Sequence, residues 1–328
     1  MHNLSHTSRV GAVLFLALAS LFFVSSARAQ TGAPLLVKPW PEKDQLFDGR
    51  AEALFFNAGH DKSSDTRYQL DMYDSVGRFR ILPGNEISPR VGYDFMRLDF
   101  HGHDVRVPDR LSDESIALGT GVYKGNGWLA GITVGAGYAG NNEFGEGRAW
   151  YGKADLVIAK EINETDALGI IIDYDGHRTY APDLPLPGFG YSHRFDPKLS
   201  VVAGLPYSSL SWKPIDHLDI ELEYFLLTDF RANVGYEFIP HWTVYGAVTT
   251  TQDTFEVAGL PSNRRLLYQQ RRAEAGLRFS PSDRLSFSAG IGYGWGTKLK
   301  TGFDFRSTAG LIDLSDAPYA RAALEFRY

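Results

Sequence analysis

The sequence predicts an all-β protein, a transmembrane antiparallel up-and-down β-barrel of about fourteen strands, with twelve as the alternative count. Three observations predict it. An apolar leader opens the chain, many period-two segments follow, and the chain ends on a strand whose last residue is aromatic.

The leader comes first. Met1 to Arg9 is polar and weakly basic, Val10 to Val24 is an unbroken apolar run, and Ala27-Arg28-Ala29 is a small-x-small site. This pattern predicts a secretory signal peptide over 1–29, cleaved before Gln30. The run is shorter than the roughly 20 residues of a membrane-spanning helix. No cysteine stands near the site to carry a lipid. Residues 30–49 are proline-rich and lack a period, predicting a periplasmic lead-in or short plug, with a flexible linker as the simpler expectation. Residues 50–328 make the barrel.

Composition narrows the class. The chain has 33 Lys and Arg; without Arg9 and Arg28 it keeps 31 against 39 Asp and Glu, a formal charge of −8. That balance argues against nucleic acid as a partner. With no cysteine, a disulfide-stapled secreted domain is excluded. Abundant Gly (34), Phe (21) and Tyr (17) suit many strands. After the leader no apolar run is long enough for a transmembrane helix, so a membrane protein of this composition must close a barrel to satisfy its backbone.

Fourteen strands are expected, at 50–58, 67–82, 89–101, 113–124, 127–139, 148–161, 166–175, 199–213, 217–227, 230–239, 242–251, 268–279, 285–296 and 318–328. The clearest is Leu285 to Gly296, where Leu285, Phe287, Ala289, Ile291, Tyr293 and Trp295 alternate with Ser and Gly. In His217 to Leu227, apolar residues alternate with Asp219, Glu221 and Glu223, a face that needs water. The segment 67–82 is irregular. In 89–101 the apolar phase shifts from Val91, Tyr93 and Phe95 to Leu98 and Phe100, predicting a bulge near Met96 and Arg97. Short links such as Gly125-Asn126 and Pro240-His241 alternate with long ones such as 176–198 and 297–317, as a barrel with periplasmic termini requires. Only Thr228-Asp229 is a tight link on the long-loop side. Aromatic residues near the strand ends, among them Tyr123, Trp128, Trp212, Tyr138, Trp150 and Tyr319, predict two girdles.

The final strand is YARAALEFRY. Ala320, Ala322, Leu324, Phe326 and Tyr328 share one face, and Arg321, Glu325 and Arg327 the other. With Tyr319 further back, Leu324, Phe326 and Tyr328 resemble the terminal signal of Gram-negative outer-membrane β-barrel proteins. The resemblance implies that the barrel assembly machinery reads this strand, that outer-membrane lipid surrounds the wall, and that the chain sits in the bacterial outer membrane.

Candidate chemistry is sparse. His101, His103 and Asp104 fall short of a zinc ligand set. Ser192 and His193 suggest the barrel phospholipases, yet neighbours on an extended chain point oppositely and cannot act together. The glycines of 290–296 precede no helix, which excludes a phosphate loop and suggests space left in a lumen. No cofactor, metal or catalytic residue is expected. The four prolines of 176–198 predict a stiff loop over or into the mouth. What remains is the lumen, with Asp219, Glu221, Glu223, Arg231, Glu237, Arg272, Glu274, Arg278, Arg321, Glu325 and Arg327 as candidate pore-lining residues. Bands of opposite charge can orient a polar solute. The expected function is a porin-like channel for passive diffusion of small hydrophilic solutes. The alternatives are a lipid-acting enzyme of the outer membrane, or a structural or surface-interaction barrel with a plugged lumen.

Overall fold

A strand with one apolar and one polar face can bury neither in a membrane unless it closes with its neighbours around a separate interior. A computed structural model describes residues 31–37, 44–83, 87–102, 106–142, 144–225 and 229–328 in this arrangement. The leader expected over 1–29 lies outside the described residues. Sixteen strands form the wall: β1 (Phe47–Phe56), β2 (Arg67–Arg80), β3 (Arg90–His101), β4 (Arg110–Gly125), β5 (Trp128–Gly140), β6 (Trp150–Glu161), β7 (Asp166–Asp175), β8 (Leu186–Asp196), β9 (Leu199–Leu205), β10 (Tyr207–Trp212), β11 (Leu218–Phe225), β12 (Asp229–Ile239), β13 (Trp242–Phe255), β14 (Arg265–Ser282), β15 (Leu285–Gly302) and β16 (Ala317–Arg327). Each pairs antiparallel with the next. β1 closes the ring on β16, from Asp48 opposite Arg327 to Phe56 opposite Tyr319. Two short strands, Gly59–His60 and Thr308–Asp313, decorate the loop end.

The expected count of fourteen is corrected to sixteen. Residues 186–196, read as loop, form β8, and 199–213, read as one strand, folds at Pro206 into the β9–β10 hairpin.

The outer face is apolar. Leu222 is 38% exposed, Ile291 75% and Phe326 42%. A closed wall of this polarity belongs in hydrocarbon, and the protein is an outer-membrane-type β-barrel. At the end where the wall starts and finishes, Tyr123, Trp128, Trp212 and Trp242 point outward as one girdle. The girdle expected at the loop end is only partial. Trp150 is exposed, but Tyr138 and Tyr319 are buried.

The bulge expected at Met96 and Arg97 is absent. β2 and β3 pair without a register shift from Gln69 opposite His101 to Arg80 opposite Arg90. The phase changes because polarity inverts along the strand. Val91, Tyr93 and Phe95 are partly exposed on the outer side, whereas Met96, Leu98 and Phe100 are buried inside. There they join Leu54, Phe56, Tyr68, Leu70, Met72, Leu111, Phe255, Leu266, Tyr268 and Leu299 in one core. Outside that core Asp99 holds Arg97 and Arg110, at 2.8 and 3.1 Å. These halves therefore have a water-soluble pattern, oil within and charge without. The same inversion explains the irregular 67–82 segment.

Candidate functional site: a two-faced cavity inside the barrel

Three closures shape the interior. The apolar core fills the loop end between β1–β4 and β13–β16. At the turn end residues 31–37 enter the lumen and include a single helical turn, α1 (Pro34–Val37). Thr31 bonds Ser115 Oγ at 3.0 Å, and Arg90 Nη1 donates to the Leu35 carbonyl at 2.9 Å. Leu35 and Leu36 fit because Gly119 and Gly131 face them; a Cβ at either glycine would come within 3.1 Å of a leucine methyl. Residues 31–37 therefore lie inside the lumen.

The third closure is the lid loop 176–185, which folds into the mouth as its prolines suggested. Thr254 Oγ1 donates to His177 O at 3.0 Å, Arg265 Nη2 to Arg178 O at 3.1 Å, and Phe305 N to Thr179 O at 3.2 Å. Asp304 Oδ2 accepts from Ala181 N. Arg306, hydrogen-bonded to Asp304, keeps that carboxyl below its ordinary range.

Between residues 31–37 and the lid lies a cavity of about 290 Å³, at the small end of the roughly 300–1,000 Å³ usual for small-molecule sites. One wall is charged. Carboxylates outnumber Lys and Arg nine to four in the lining. Asp155 and Asp173 stand directly opposite each other on β6 and β7, and Thr133 donates to Asp155. Beside it runs an apolar stretch with Ile170, Phe189, Val202, Leu205, Phe225 and Phe230, interrupted by Glu223, Asp229 and Arg231. Ile170, Phe189 and Leu205 are also exposed on the outer surface. The cavity therefore reaches the outside where the wall is lowest. β9, β10 and β11 have 7, 6 and 8 residues, against 18 each in β14 and β15. A tilted strand needs about 9–11 residues to span a bilayer.

The candidate pore residues divide by height. Glu223, Arg231 and Arg272 line the cavity. Arg321 bridges Glu52 at 2.7 Å and Glu274 at 3.3 Å, and Tyr319 donates to Glu274 at 2.8 Å. Glu221 lies one inward position below Glu223, and Arg278 sits over the Tyr245 ring at 5.6 Å. The rest lie toward the turn end. Asp219 pairs with Lys213 and Glu237 with His217, both at 2.9 Å. Arg327 lies 4.0 Å from Glu325 and 3.8 Å from Asp48.

Of the terminal-signal residues, Leu324, Phe326 and Tyr328 share the outer face, while Tyr319 points inward. Three of the four glycines of 290–296 leave no open space, whereas a Cβ at Gly296 would meet nothing within 4 Å. Cβ atoms at Gly290, Gly292 and Gly294 would strike Tyr245, Tyr319 and Phe56. Ser192 is buried whereas His193 pairs with Asp166 at 2.7 Å, so the two are not assembled. His101 pairs with Asp71 at 3.1 Å, and His103 and Asp104 lie outside the described residues. Sequence reading missed Arg50, Glu52, Lys153, Asp155, Asp173 and the cluster of Asp113, His177 and Asp253. The signal for Arg50 and Glu52 was present, since they alternate with Ala51, Ala53 and Phe55.

No family model matches the sequence, and no curated protein matches it. Among solved structures the chain is similar to the toluene transporter TodX of Pseudomonas putida, at 9% identity and TM-score 0.43, over 95% of both chains. It is similar to a FadL homologue of Pseudomonas aeruginosa, at 13% identity and TM-score 0.36, again over 95% of both. Pseudomonas putida OprB aligns at 9% identity and TM-score 0.30, over 87% of this chain and 94% of that one. Likeness at this level transfers no solute to this chain.

Proposed function

We propose that the protein is an outer-membrane channel for small organic solutes that join a cationic group to an apolar one. The observation that carries the reading is the two-faced cavity, acidic around Asp155, Asp173 and Asp175 and apolar around Phe189, Val202, Leu205 and Phe225. An ammonium suits the carboxyl groups of Asp155 and Asp173, two acids directly opposite each other on neighbouring strands. An apolar tail suits Phe189, Val202 and Phe225. The low wall at β9–β11 offers entry from the outer leaflet, and displacement of residues 31–37 opens the turn end. This narrows the hydrophilic solute expected from the strand pattern to one with an apolar part.

The test is uptake by proteoliposomes. Phenylethylamine is expected to enter several-fold faster than phenylacetate or glucose, and a chain lacking residues 31–37 is expected to show larger, cation-selective conductance in planar bilayers. Equal leakage of all three solutes sinks the solute assignment. Neither uptake nor conductance, even without the plug, sinks the channel. That last outcome favours a second reading, supported by plug and lid alike: a closed barrel that only displays its loops.

A further inference from the structure

We infer that Asp113 on β4, His177 on the lid and Asp253 on β13 bind one divalent transition-metal ion, clasping the lid to two parts of the wall. The inference is independent of what the barrel carries.

One donor atom from each of the three residues falls within 4.8 Å of the other two. His177 Nε2 is 3.0 Å from Asp253 Oδ1 and 3.8 Å from Asp113 Oδ2. Tetrahedral ligands at about 2.1 Å from an ion lie roughly 3.4 Å apart. The two observed separations bracket that value, and closing the carboxylates from at most 4.8 Å completes the shell. Two carboxylates balance a 2+ charge, and an imidazole among oxygens favours a borderline ion such as Zn2+ or Fe2+ over Ca2+.

The surroundings hold these ligands in place, as metal sites require. Tyr151 OH donates to Asp113 Oδ1 at 2.5 Å, and its ring stacks on the imidazole at 4.8 Å. Thr254 N donates to Asp253 Oδ1 at 2.7 Å. Thr254 Oγ1 lies 3.4 Å from both His177 ring nitrogens, and it is Nε2 that faces the two carboxylates and serves as the ligand atom. Asp175 Oδ1 accepts from the His177 backbone N at 2.8 Å. Neighbouring cations are engaged with other acceptors. Lys153 pairs with Asp175 at 3.3 Å, and Arg265 donates to the Phe303, Arg178 and His177 carbonyls. All three ligands line the cavity, which supplies an entry path and room for a water as fourth ligand.

The experiment uses the full chain, refolded in detergent and stripped with a chelator. Isothermal titration with ZnCl2 is expected to give one ion per chain, weakened at least about tenfold in His177→Gln and in Asp253→Asn. Folding of each variant is checked by heat-modifiable migration in gels. X-ray absorption of the loaded wild-type protein is expected to show one imidazole among oxygen ligands. It decides the matter even where a variant does not refold. Absence of saturable binding, unchanged affinity in both folded variants, or a shell with two or more imidazoles overturns the inference.

Discussion

Arg321 stands where the lumen has most to lose. Its guanidinium reaches Glu52, Glu274, Tyr245 and Ser288, and Glu52 is itself buried. Arg321→Ala leaves two carboxylates facing each other with one counterion fewer, because Arg50 already lies between Glu52 and Asp74 at 3.8 and 3.6 Å. Removing one partner of such a buried network costs about 3–5 kcal/mol. Urea unfolding of the refolded barrel checks this, and a loss under about 1 kcal/mol shows that the network contributes little. His177 permits a second prediction, in chelator-treated protein. Burial alone would lower its pKa, but Asp113 and the hydrogen bond to Asp253 outweigh burial and raise it above the ordinary value of 6.5. The sign then follows by linkage. The clasp's stabilisation is complete below pH 6.5 and fades as pH climbs through the raised pKa. Wild type is expected to lose more stability than His177→Gln between pH 6 and 9. Parallel thermal-denaturation profiles for the two proteins would exclude the clasp.

At the scale of strands, Gly292 on β15 shows how packing inside the wall governs composition. The Tyr319 ring occupies the space where a Cβ would sit. Gly292→Ala forces the ring away from Glu274, and overpacking of this kind costs roughly 1–3 kcal/mol. Gly310, with nothing within 4 Å of its Cβ position, provides the control substitution. If both alanine variants melt together, the close approach is relaxed at no cost. Strand patterns also explain how much of the fold was legible. β11, β12, β16 and the 285–296 part of β15 alternate clearly and were read directly, whereas β15 changes phase past Gly296, where Leu299 turns into the core. β8 was not, because Pro185, Pro187 and Pro197 argue for loop while Phe189, Tyr191 and Phe195 alternate only weakly through its glycines. The hairpin at Pro206 was hidden because a single residue turns the chain. The alternation of short and long links did not expose these two omissions. Leaving out a pair of strands keeps both parity and the position of the termini. The cavity was less legible than the wall, since Asp113, His177 and Asp253 lie 64 and 76 residues apart and meet only through closure of the barrel.

The whole molecule is lopsided, and its height decides which surfaces meet lipid. On one side β13–β15 and β2–β4 rise past the membrane and switch to charge outside and oil inside. On the other, β9–β11 are too short to cross alone. Because the chain contains no cysteine, single-cysteine variants can map this tilt directly. Arg97→Cys lies on the charged outer surface, where water-soluble maleimide is expected to react at the rate of a free thiol. Ile291→Cys lies in the apolar band and is expected to react at least about tenfold more slowly, since the thiolate that attacks is suppressed in hydrocarbon. Phe189→Cys discriminates further. It sits on the outer face and also lines the cavity, so it should be quenched by brominated lipid when labelled with a fluorophore and protected from maleimide by phenylethylamine. Rapid labelling of Ile291→Cys would place the band in water and overturn the membrane assignment. A Phe189→Cys thiol indifferent to phenylethylamine would instead leave the barrel in the membrane and separate the low wall from the solute's path.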